Sequence, residues 1–118
     1  MPKKEPQFVW IDAELLRIIA SCSDQGGADV QAILRMFDEL QLADLPKTAL
    51  SGGLKRLTNA GFIHMDGRRY FINDAARERL PRTKSGKFSF GLGKYLRLLG
   101  VVLPWLNAEV TITIHKGD

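Results

Sequence analysis

The stretch from Leu50 to Ile72, LSGGLKRLTNAGFIHMDGRRYFI, decides the fold. Leu50, Leu54 and Leu57 recur at i, i+4 and i+7, so they share one face of a helix. Gly61 follows Asn59-Ala60, at the place where a residue free to adopt positive φ closes a helix C-terminus. Phe62 to Met65 and Arg68 to Ile72 then read as two strands. Asp66-Gly67 between them suits a type I′ turn. The predicted order is helix, glycine stop, and a tight hairpin with a basic tip.

Upstream, Gln41 to Lys47 makes a turn in which Pro46 prevents the preceding helix from continuing, and Thr48 is the expected N-cap of the Leu50 helix, its hydroxyl accepting the N–H of Ser51. That helix should occupy about Ala49 to Ala60. An earlier helix is expected from about Ala28 to Leu40, with Val30, Ile33, Leu34, Phe37 and Leu40 inward and Asp29, Gln31, Asp38 and Glu39 outward. Its acidic outer face would repel phosphate. The first helix should run from Asp12, as N-cap, to Ser21 or Cys22, with Ile11, Leu15, Ile18 and Ile19 on its apolar face. Ser23 to Gly27 is a loop by composition.

Downstream, Asn73 or Asp74 can cap a short helix from Ala75 to Leu80, which Pro81 stops. Arg82 to Gly93, rich in glycine, serine and basic residues, reads as a mobile linker. Lys94 to about Leu103 has Leu96, Leu99 and Leu103 on one side of a helix that Gly100 weakens. Ala108 to His115 alternates strictly and reads as a strand, which must add to the hairpin or to another subunit. The expected organisation is residues 1–80 as the domain, 81–93 as linker, and 94–118 as a self-association extension.

Residues Ile11 to Leu80 resemble a winged helix-turn-helix domain of the broad bacterial type found in MarR-like and ArsR-like regulators. The run Leu54-Lys55-Arg56-Leu57-Thr58-Asn59-Ala60-Gly61-Phe62-Ile63 is similar to the junction of recognition helix and wing. Leu50-Ser51-Gly52-Gly53-Leu54 more closely resembles a group of small, largely uncharacterised bacterial winged-helix proteins. The resemblance implies an α+β fold, a three-helix core with a hairpin wing. It also implies binding of double-stranded DNA, commonly as a homodimer.

If the three leucines point inward, the opposite face of the third helix presents Thr48, Ser51, Gly52, Lys55 and Asn59, with Lys47 and Arg56 at its edges. Lys55 and Arg56 suit phosphate or guanine, and Ser51 and Asn59 suit base edges. Arg68 and Arg69 at the wing tip suit a narrow minor groove. These eight residues, Lys47, Thr48, Ser51, Lys55, Arg56, Asn59, Arg68 and Arg69, form the expected DNA-binding set. Gly52-Gly53 costs about 1.5–2 kcal/mol of helix propensity. Either close approach to a phosphate or tight packing of another helix would offset it.

Charge supports a polyanion partner. Residues 1–46 carry a net −4 and residues 47–118 a net +8. Such asymmetry marks one surface for a polyanion. Arg77, Arg79, Arg82, Lys84 and Lys87 extend the basic half, as a phosphate-tracking tail or a solubilising linker. The alternative to DNA binding is a winged-helix module for protein–protein association, favoured by the glycine pair, the acidic second helix and the apolar tail.

At 118 residues the chain is long enough for one core without staples. Its single cysteine, Cys22, excludes a disulfide framework and a multi-cysteine zinc site. Continuing the apolar face of the first helix, Cys22 is expected to be a buried, inert thiol. No signal peptide or membrane span is apparent, so a cytoplasmic location is expected. Neither His64 nor His115 has a metal-ligand spacing. Ser85-Gly86-Lys87 fails as a phosphate loop, because Pro81 replaces its first glycine and Phe88 follows the lysine. No catalysis, metal, cofactor or small-molecule ligand is expected.

Overall fold

From Asp12 to Ala20, helix α1 (Trp10–Ser23) is buried at every position except Arg17. A helix covered on all sides must have neighbours on all sides. Here they are α2 (Val30–Glu39), α3 (Lys47–Asn59), strand β2 (Arg69–Ile72) and α5 (Leu92–Leu99). Strand β1 (Ile63–Asp66) and the single turn α4 (Asp74–Arg77) complete the elements. This computed structural model describes residues 7–39, 45–89 and 91–101, and its architecture is α+β. The expected strand from Ala108 to His115 lies outside the described residues, as do residues 41–44 of the expected turn.

Three helix starts differ from expectation. In α1 the cap is Val9, and Asp12 is the third helical residue, its Oδ2 accepting the Val9 N–H at 3.0 Å. Helix α2 begins at Val30, because Ala28 is extended and exchanges backbone hydrogen bonds with Tyr70 at 3.0 and 2.8 Å. Asp29 then caps it, accepting the Ala32 N–H at 2.7 Å. For α3 the cap is Pro46, whose carbonyl accepts the Leu50 N–H at 3.0 Å, so Thr48 already lies in the first turn.

The end of α3 closes at Gly61, φ +84°, with Phe62 N–H bonded to Leu57 O and Gly61 N–H to Thr58 O. These paired bonds satisfy carbonyls the last turn would leave open. The hairpin pairs Ile63 with Ile72 and Asp66 with Arg69. Its two-residue loop is therefore Gly67-Arg68, one position later than expected. Gly67, at φ +67°, takes the first central position, where primed hairpin turns need positive φ. Ile63, Met65, Tyr70 and Ile72 share one face of the hairpin, and His64, Asp66, Arg69 and Phe71 the other.

The basic stretch expected as a mobile linker is a hydrogen-bonded loop over residues 81–89. Ser89 N–H bonds Pro81 O and Thr83 N–H bonds Lys87 O, each at 2.8 Å. The guanidinium groups of Arg82 and Arg77 lie 4.6 and 5.3 Å from the Phe88 ring. Helix α5 then packs Tyr95, Leu96 and Leu99 onto the core and stops at Gly100, short of Leu103. No helix among the described residues is long and apolar enough to cross a membrane.

Candidate nucleic-acid interface

With Leu50, Leu54 and Leu57 buried, α3 is amphipathic, and it contains no acidic residue. Its exposed side carries Lys47, Ser51, Lys55 and Asn59 at successive intervals of four, a stripe that drifts slowly around the helix. All four line one open groove of about 440 Å³, together with Val30, Leu50, Leu54, Thr58 and Tyr70. Lys47 opens the helix, where a cation opposes the positive end of the macrodipole. A helix start made doubly positive is a small local cost that a bound anion would remove.

The structure divides the eight expected residues. Lys47, Ser51, Lys55 and Asn59 come together on the groove, and Thr48 is exposed in the same first turn. Arg68 is exposed in the hairpin loop. Arg69 lies on the hairpin face opposite Tyr70, so it points away from the groove wall, and its Nη1 donates to Gly26 O at 3.1 Å.

Arg56 leaves the set in another way. Its Nε and Nη2 donate to Asp12 Oδ2 and Oδ1 at 2.7 and 2.8 Å, a bidentate pair between α3 and α1. Donating to the Asp12 carboxylate raises the Arg56 pKa above its ordinary value, against a smaller lowering by burial. Asp12 is fully buried. Arg56 thus fixes the angle at which α3 is presented, with two of its donor groups already satisfied.

Gly53 completes that contact. A Cβ there would lie 2.5 Å from Leu15 Cδ1 and 2.7 Å from Asp12 Oδ1, so only glycine lets α3 approach α1 this closely. Of the two explanations for the glycine pair, helix packing accounts for Gly53. Gly52 faces the Arg56 side chain, whose Nη1 would be 3.2 Å from an added Cβ.

Two groove residues carry no signal in the sequence. Tyr70 reads there, with Phe71, as core and edge packing and Val30 as core, yet Tyr70 and Val30 both line the groove, and Val30 is 38% exposed. Burial raises the Tyr70 phenol pKa. On the other hairpin face, His64, Asp66, Phe71, Asp74 and Arg77 border a polar hollow of about 290 Å³. No group of three or more His, Cys, Asp or Glu among the described residues is placed to hold a metal ion. Cys22 is half-buried, with Sγ 3.9 Å from Ser21 Oγ.

Comparison with protein-family models, with curated proteins and with solved structures gives no match to this chain.

Proposed function

We propose that this chain is a DNA-binding protein of winged helix-turn-helix type, acting as a transcriptional regulator. The supporting order of elements is α1, an extended segment at Ala28 that pairs with β2, then α2, α3 and the hairpin. The observation that carries the reading is the stripe Lys47, Ser51, Lys55 and Asn59. Two cations and two hydrogen-bonding side chains lie along one exposed side of a helix without acids. Phosphates would be neutralised by Lys47 and Lys55, with Arg68 reaching from the hairpin loop, while Thr48, Ser51 and Asn59 face phosphate or base edges. As a homodimer the protein would set two α3 helices on half-sites one helical turn apart.

The test is fluorescence anisotropy with a labelled mixed-sequence duplex at about 50 and 200 mM salt, the range over which several phosphate contacts cost orders of magnitude in affinity. Wild-type protein should bind at the lower salt and lose most of its affinity at the higher. Lys47→Glu with Lys55→Glu should abolish binding. A folded double variant that binds as tightly as wild type would remove α3 from the interface.

A further inference from the structure

The groove beside α3 has a floor that phosphate binding does not require. Val30, Leu50, Leu54 and Tyr70 contribute apolar surface to it, while Lys47, Ser51, Lys55, Thr58 and Asn59 supply its polar wall. Among the described residues, no carboxylate lines the groove. On α2, Val30 and Leu34 are 38% and 37% exposed, one turn apart on a helix that otherwise buries Ile33 and Phe37. A DNA backbone rewards Lys47 and Lys55 and draws little from an apolar trench, because its affinity comes from charge neutralisation. An apolar floor under a cationic wall matches an acidic, amphipathic protein segment in both respects.

Spacing narrows the pattern. Lys47 and Lys55 are eight residues apart on α3, or about 12 Å along the axis. An extended chain advances about 3.3 Å per residue and turns alternate side chains to the same side. Two carboxylates about four residues apart therefore meet both lysines from one face of an extended segment. The residue midway between them points the same way, onto Leu50, Leu54 and Tyr70. With about 440 Å³, the groove admits a large apolar side chain there.

We propose that this groove docks an extended acidic segment of a partner protein, patterned acid–x–apolar–x–acid, and that the segment and duplex DNA exclude one another at α3. The exclusion rests on the DNA-binding reading above; the docking itself does not.

The experiment uses the full chain with fluorescein-labelled peptides that hold two glutamates flanking a central Leu, Phe or Trp, and with counterparts carrying lysine in place of glutamate. Acidic peptides should bind and the lysine counterparts should not. Unlabelled acidic peptide should displace labelled duplex. Val30→Asn, at an exposed position outside the set assigned to DNA, should weaken the peptide about fivefold or more and leave the duplex within about twofold. Lys55→Glu should weaken both. Acidic and basic peptides binding alike, or a Val30→Asn variant that holds the peptide as wild type does, would overturn the docking site. Duplex binding without any peptide capture would also overturn it and leave the DNA reading intact. Peptide capture with no duplex binding at low salt would sustain the docking site and sink the DNA reading.

Discussion

Arg56 holds Asp12 through two parallel hydrogen bonds across the α1–α3 contact, at 2.7 and 2.8 Å, over a sequence separation of 44 residues. The two partners sit differently: the Asp12 side chain is fully buried and that of Arg56 is 34% exposed. Removing either therefore strands a different group.

Arg56→Gln leaves a buried carboxylate with the Val9 N–H as its one remaining partner among the described residues, and should cost about 2–4 kcal/mol, toward the lower end for broken buried pairs because the site borders water. Asp12→Asn leaves an arginine that can turn out to solvent, and should cost about 1–2 kcal/mol. Urea unfolding of both variants checks the order. If Asp12→Asn were the costlier change, the pair would not be organised around the buried carboxylate. In folded Arg56→Gln, the salt slope of duplex binding should match wild type, whereas Lys55→Gln should lower it by about one.

Gly53→Ala and Gly52→Ala should move stability in opposite directions. Each gains up to about 1 kcal/mol of helix propensity. At Gly53 the new methyl collides with Leu15 and Asp12, which are themselves fully buried. Overpacking of this kind costs roughly 1–3 kcal/mol, so Gly53→Ala should lower the melting temperature. At Gly52 the neighbour is the Nη1 end of the Arg56 side chain, the nitrogen not bonded to Asp12, and it can shift. Gly52→Ala should be neutral or stabilising. A stabilised Gly53→Ala would mean that α3 does not sit this close to α1.

What was legible in the sequence was local. The leucine spacing of α3, its stop at Gly61 and the hairpin all follow from periodicity and turn chemistry within about ten residues. The turn falls one position later than Asp66-Gly67 suggests because Asp66 pairs with Arg69, which only cross-strand register decides. Composition made residues 81–89 look like a linker, since it could not show Arg77 and Arg82 flanking Phe88. Within the candidate site, the exposed stripe of α3 was readable by helical geometry. The loss of Arg56 to Asp12, the anchoring of Arg69 on Gly26 and the entry of Val30 and Tyr70 into the groove were not, because each joins residues distant in the chain.

Asn73 should govern the rigidity of the hairpin. Its Nδ2 donates to Gly61 O at 2.8 Å and Ile63 O at 3.3 Å, and its backbone N–H to Phe62 O at 2.9 Å. Since the amide nitrogen faces carbonyls, Oδ1 faces His64, so the His64 Nδ1 carries the proton. Asn73→Ala removes these side-chain bonds at a cost of about 1–1.5 kcal/mol. Amide exchange across β1 and β2 should then quicken by about tenfold while α1 and α5 stay protected. Uniform acceleration across the protein would show that Asn73 supports the whole fold and not the hairpin.

Tyr95 gives the fold an alkaline limit. Its ring is fully buried between α5 and the core, and its hydroxyl donates to Ser89 O at 2.6 Å. Burial pushes the phenol pKa from 10.0 up to about 12, with Arg17 pulling weakly the other way. A phenol with a raised folded pKa favours the folded state while it is neutral. Its contribution is complete below the unfolded value and is lost as pH climbs from there through about 12. The loss should be on the order of 2 kcal/mol. Tyr95→Phe should be about 1 kcal/mol less stable near neutral pH, through the missing hydrogen bond to Ser89. It should also lack this alkaline decline, so the two urea-unfolding curves should converge or cross as pH approaches about 12. The raised phenol of Tyr70 remains in both proteins and adds a shared slope in the same direction. If wild type and Tyr95→Phe lost stability in parallel above about pH 10, the alkaline limit would not belong to Tyr95.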